Sequence, residues 1–159
     1  MDYLALLKSG IGSWNQWRVC HPNEYCDLSG QDLSNGYFFE GDFSQVNLTG
    51  ANLQRACLIG ANLAGADLTA TDLSGAYLAQ ANLYGANLSN AILTGANLHQ
   101  TDLRQTNLQM GQLSNALIYR AQLPSWGSEY ITFDYIHYVH DESTTRHYMA
   151  RDYITGQVA

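Results

Sequence analysis

The chain has 159 residues, 46% of them apolar and only 13% charged, with a formal net charge of −7, which fits one globular domain of ordinary size. Seven basic residues in all cannot neutralise a phosphate backbone, so direct nucleic-acid binding is not expected. No apolar run reaches the roughly 18 residues of a membrane span and Met1–Ile11 lacks a secretory pattern, so no membrane insertion and a cytoplasmic location are expected. Three cysteines, Cys20, Cys26 and Cys57, do not form a disulfide framework, although the Cys20–Cys26 spacing permits a bridge.

Residues 1–25 carry Leu4, Leu7, Ile11 and Trp14 at the spacing of one helical face. Gly10 and Gly12 are expected to interrupt the helix, with Ser13 capping a second short piece.

Residues 26–125 are governed by one period. An inward apolar residue recurs at every fifth position from Leu28 to Leu123, and seventeen of the twenty are Leu. The exceptions are Phe38, Phe43 and Ile118. Two places earlier the residue is small, with eleven alanines, three threonines and three glycines. The place just before the Leu is Asp or Asn in thirteen repeats. A helix needs a spacing near 3.6 and a strand needs two, so five requires a bend inside every unit. Such units stack as a solenoid.

The unit reads Ala-(Asn/Asp)-Leu-X-X, as in Ala61-Asn62-Leu63-Ala64-Gly65, and resembles the pentapeptide-repeat family over about 100 residues. The resemblance is to its cyanobacterial members. It implies an all-β solenoid, a right-handed quadrilateral β-helix with four pentads to a coil and about five coils. A stacked coil needs cover at its ends, so residues 1–25 are expected to be the N-terminal helical cap. The stretch Ser13-Trp14-Asn15-Gln16-Trp17-Arg18 is similar to the lead-in of some members.

Residues 126–159 form an aromatic-rich segment in which a cap or a dimerisation and interaction element is expected. Residues 130–140 alternate loosely and read as extended, while Ser143–Ile154 reads as a short helix capped by Ser143 or Thr144 and stopped by Gly156.

Catalytic chemistry finds no foothold. Asp27, Asp32, Asp42, Asp67, Asp72 and Asp102 all sit at the place where Asn is equally accepted, and an amide cannot act as a general base. His137, His140 and His147 cluster in the last segment, but packing or surface roles are favoured over a metal site, and His99 stands alone. No enzyme, cofactor or metal is expected.

Wrapped twenty residues to a coil, four of the five apolar residues at the Asp/Asn place share one side: Tyr37, Cys57, Tyr77 and Leu117, with Ile92 elsewhere. Phe39, Ile59, Ala79 and Tyr119 follow on that side. Tyr37, Phe39, Cys57, Ile59, Tyr77, Leu117 and Tyr119 are therefore expected to form a continuous apolar strip, a place where something binds. Trp126, Tyr135, Tyr138, Tyr148 and Tyr153 are expected to join the contact, or the segment bearing them to fold back over the strip. The expected function is a non-catalytic scaffold docking another protein or a second copy. The alternative that the resemblance implies is a DNA-mimicking inhibitor of a type II topoisomerase, against which the seven acids among residues 26–125 are few and diluted by Asn.

Overall fold

The computed structural model describes residues 1–124 in full and, beyond them, the backbone of two strands at 136–141 and 144–148. Helix α1 (Tyr3–Lys8) opens under Asp2, whose carboxylate accepts from the Ala5 N–H at 2.9 Å. Gly10, at φ 122°, takes a backbone conformation that disfavours side chains and separates α1 from α2 (Ile11–Cys20). Ser13 is not the cap expected of it. The Gly10 carbonyl already accepts from the Trp14 N–H at 3.1 Å, so α2 starts at Ile11 and both Gly12 and Ser13 lie inside it.

From residue 26 on, the chain pairs each unit with the one twenty residues later. Sixteen parallel bridges run from Asp27↔Asn47 to Asp102↔Gln122. Twenty residues per coil means four pentads per coil, and residues 26–124 wind through five coils. We number the four faces by the inward residues that open them in the first coil: Leu28, Leu33, Phe38 and Phe43. With neighbouring strands about 4.8 Å apart, the stack is on the order of 24 Å long.

The bend inside each pentad is a β-turn. The inward residue's carbonyl accepts from the N–H three places on, as from Ala51 to Leu48 at 2.9 Å. The second residue after the Leu has a positive φ in every repeat from Gly30 to Arg120, at seven glycines and twelve other residues. Between coils the Asn47 N–H donates to Cys26 O at 2.9 Å and the Leu48 N–H to Asp67 O at 2.8 Å, a pattern repeated up the stack. Inside, the Leu and Ala columns are buried up to Ile118, and only Ala121 and Leu123 of the last pentad are partly exposed. At about 1.5–3 kcal/mol per buried Leu side chain, this column dominates the stability of the coil. Thr71 and Thr101 replace Ala without leaving an orphan hydroxyl, because each Oγ1 donates to a Leu carbonyl at 2.7 Å.

Two aromatic residues alter the first coil. Phe38 and Phe43 are too large for an Ala two places earlier, and both are preceded there by glycine. A Cβ on Gly36 would lie 2.2 Å from Phe38 Cζ, and one on Gly41 2.5 Å from Phe43 Cε2.

Helix α2 lies across the fourth face of this coil. Trp14 is fully buried, stacks on Phe43 with centroids 5.5 Å apart, and donates Nε1–H to Asp42 O at 2.7 Å. Asn15 accepts from the Asp42 N–H at 2.9 Å and donates to Glu40 O at 3.0 Å. Buried Arg18 donates to Ser44 O at 2.8 Å and to Glu24 O and Cys26 Sγ, both at 3.2 Å. Burial pushes the Cys26 thiol up despite that guanidinium. Cys26 and exposed Cys20 are both free, so the bridge that their spacing permits is not formed.

Strands β1 (Ile136–Asp141) and β2 (Thr144–Tyr148) pair antiparallel, setting His137 opposite His147. The helix expected over Ser143–Ile154 is therefore corrected to a strand at Thr144–Tyr148. Its β-branched Thr pair and aromatic Tyr148 suit a pleated strand, and pairing with β1 is a non-local effect that outweighs a capping signal. The rest of that segment lies outside the described residues, as do Trp126, Tyr135 and Tyr153. Tyr138 and Tyr148 are placed by backbone alone. Among the described residues no helix is long and apolar enough to cross a membrane.

Candidate docking face

Three faces share one device at the Asp/Asn place. The Asp27 Oδ1 accepts from the Ser29 N–H at 2.9 Å, and Asn47, Asp72, Asn82 and Asp102 accept in the same way from the residue two places on. This local turn needs a side-chain oxygen and no charge, which is why Asn and Asp interchange. Asn adds a second bond. Asn47, Asn52 and Asn62 each donate Nδ2–H to the Asp twenty residues earlier, at 3.0, 3.1 and 3.2 Å.

These bonds tune the carboxylates. Hydrogen bonding from Ser29 holds Asp27 below its ordinary range, and Ser34 does the same for Asp32. Burial raises Asp72, but hydrogen bonds from Ser74 and Gln54 outweigh it and leave the group lowered. Arg104 pairs with Asp102 at 2.7 Å and lowers it. Each shift has a structural cause that leaves the group a committed acceptor. Among the described residues no set of His, Cys, Asp or Glu is arranged to hold a metal ion.

The third face departs from the pattern. Its column runs Tyr37↔Cys57↔Tyr77↔Asn97↔Leu117, all in register. Only Asn97 retains the turn bond, accepting from the His99 N–H at 3.0 Å. Among the described residues no side chain accepts from the N–H groups of Phe39, Ile59, Ala79 or Tyr119. At a net 0.5–1.5 kcal/mol or so per hydrogen bond, the face forgoes several such increments and puts aromatic surface into water instead. Tyr37 is 69% exposed and Tyr77 51%. Cys57, Ile59 and Tyr119 are half-buried, so they form a floor between the projecting rings. Tyr37 and Phe39 stack at 6.3 Å.

The strip is not apolar without a break. Asn97 and His99 intervene in the fourth coil, where the His99 ring stacks on Tyr119 at 5.0 Å and Arg120 lies 5.0 Å from the same ring. His99 and Arg120 thus belong to the face although neither was among the expected site residues. Column arithmetic contains the signal: His99 sits twenty residues before Tyr119 and twenty after Ala79.

The pentapeptide repeats family model matches in eight copies, over residues 24–63, 61–100, 71–109 and 81–118. Among solved structures, the chain is similar to a pentapeptide repeat protein from the Arabidopsis thaliana thylakoid lumen, with 31% identity over 64% of this chain and 67% of that one and a TM-score of 0.35. It is also similar to HetL, a pentapeptide repeat protein involved in heterocyst differentiation regulation from the cyanobacterium Nostoc, with 28% identity over 60% of this chain but only 48% of that one and a TM-score of 0.32. A third, alr5209 from Nostoc, shares 31% identity over 65% of this chain and 85% of its own, with a TM-score of 0.32. No curated protein matches. With twenty residues to a four-sided coil and its repeats matched from residue 24 to residue 118, this chain belongs to the pentapeptide repeat family and folds as a quadrilateral β-helix.

Proposed function

We propose that this chain is a non-catalytic scaffold that docks another protein, or a second copy of itself, through the third face of the coil, with the aromatic segment 126–159 extending the contact. One observation carries the reading: the third face alone gives up the turn-stabilising Asp/Asn in four of five coils and places aromatic and aliphatic side chains there. A substitution pattern that loses hydrogen bonds and exposes apolar surface runs against stability and solubility, and a docking role accounts for it. The coil favours binding by preorganisation. Rings held in fixed rows by an inter-coil hydrogen-bond ladder lose little entropy on contact.

The test restores the family consensus. Tyr37→Asn, Tyr77→Asn and Leu117→Asn together return the side-chain oxygen that the turns lack. The expected result is an equal or higher melting temperature together with loss of self-assembly in a solution mass measurement and of the protein captured from the native host. Unchanged assembly and capture by the triple variant would overturn the proposal.

A further inference from the structure

We infer that the N-terminal edge of the second and third faces is a strand-addition site, which takes an extended peptide of another protein carrying an apolar side chain beside a carboxylate. The first coil has no coil before it, and its four faces are closed unequally. On the fourth face Trp14, Asn15 and Arg18 supply the hydrogen bonds that a preceding coil would give. On the second and third faces nothing among the described residues does. By the register of the stack, the N–H and C=O of Asp32 and Tyr37 and the carbonyls of Ser34 and Phe39 point to that side. They are left open as the edge of a sheet.

The open edge borders a groove of about 300 Å³ between the α1–α2 corner and the coil, with Leu7, Ile11, Leu33 and Phe38 among its apolar walls. Leu33 and Phe38 keep 5% and 7% exposure, against 1% for Leu28 and Phe43 on the other two faces of the same coil. The inward column is therefore slightly uncovered where the backbone is unpaired. At the lip stands Lys8, the chain's one lysine, in the last turn of α1. Among the described residues no carboxylate lies within ion-pair distance of it; Asp32 lines the same groove and feels its charge, but its Oδ1 already accepts from the Ser34 N–H and Asn52 Nδ2.

These features select the occupant. Open backbone groups along an edge call for another extended backbone, the recognition mode of strand addition. The groove has room for one bulky aliphatic or aromatic side chain, and an unpaired ammonium at its lip is complementary to a carboxylate. The site meets the exposed column of the third face only at its first member, Tyr37, because Tyr77 and Leu117 lie two and four coils away.

A phage-displayed library of random dodecapeptides, selected on the full chain, tests the inference. The expected outcome is a family of peptides with an apolar residue next to Asp or Glu, whose binding protects the Asp32 and Tyr37 amides from hydrogen exchange. Lys8→Glu, on an exposed side chain that leaves the fold intact, should weaken such a peptide by roughly tenfold. Ile11→Trp should block the groove. N-methylation of the peptide backbone with unchanged side chains should weaken binding by roughly tenfold, since it removes donors to the open carbonyls. Tyr77→Asn should leave binding unchanged, which separates this site from third-face docking. Absence of any peptide sensitive to Lys8→Glu, or full affinity after N-methylation, overturns the inference. A concentration-dependent dimer that dissociates on Lys8→Glu would assign the edge to a second copy and overturn it likewise.

Discussion

The first coil and the four that follow it are built from the same pentad and closed by different means. An interior coil has a neighbour on each side, and its Leu, Ala and backbone groups meet copies of themselves. The first coil meets two helices on one side, and at several of these contacts its sequence leaves the consensus. Phe38 and Phe43 replace Leu, Gly36 and Gly41 replace Ala, and Trp14 with Arg18 fills the space beyond. A repeat can specify its own interior with very few residue types. An end has no repeat to lean on and must be specified one residue at a time.

The largest break in this comparison is expected at Trp14. Trp14→Ala removes a fully buried indole, its stack on Phe43 and the donor to Asp42 O, and should cost about 3–5 kcal/mol. Urea unfolding measures the loss. Hydrogen exchange should show protection falling most in residues 26–45 and least near residues 66–85. A uniform fall would mean that α2 and the coil unfold as one unit and that the end is no weaker than the middle.

The next effect tests the Gly–Phe pairing. Gly36→Ala puts a Cβ 2.2 Å from Phe38 Cζ and 2.9 Å from Leu33 O, and should destabilise by about 1–3 kcal/mol through overpacking. Adding Phe38→Leu returns the two inward places of the pentad to consensus and should recover most of the loss, a coupling that a double-mutant cycle reads directly. Gly111→Ala provides the contrast. There the nearest atom is Leu108 O at 3.0 Å and the inward residue is already Leu, so a small shift should accommodate the methyl.

Much of this was legible in the sequence, for identifiable reasons. A period of five fixes the inward column, and wrapping by twenty placed Tyr37, Cys57, Tyr77 and Leu117 in one register, as the bridges show. The Asp/Asn interchange pointed away from catalysis, but what the oxygen does there, accepting from the N–H two places on, is a geometric fact that the interchange alone does not reveal. The end of the coil was less legible. Ser13 offered a capping side chain, yet Gly10 at φ 122° starts the helix, because backbone freedom there matters more than a hydroxyl. Thr144–Tyr148 was misread for the opposite reason: its pairing with Ile136–Asp141 is a contact between separated residues that a local pattern does not encode. The open edge at Asp32–Phe39 could not be seen at all, since it follows from what α2 leaves uncovered.

The smallest expected effect concerns acid, and it separates the two regions by charge. The first coil carries Asp at its three ladder places, 27, 32 and 42, whereas the second carries Asn at 47, 52 and 62. Asp27 and Asp32 are both held below their ordinary range, by Ser29 and by Ser34 respectively, and Asn47 and Asn52 donate to them from above. A carboxyl whose folded pKa is depressed contributes stability above its unfolded value, about 3.9, and loses that contribution as pH falls through the folded value. The melting temperature should therefore be level from neutral pH to about 5 and decline below about 4. Hydrogen exchange at low pH should show residues 26–45 opening before residues 46–65. Asp27→Asn with Asp32→Asn keeps the oxygen that the turn requires and removes the titrating group, so the double variant should show a shallower decline and no early opening. If it declines as steeply as the unaltered chain, the acid sensitivity resides in Asp72 or Asp102, and the first coil is weak for want of a neighbour and not because of its charge.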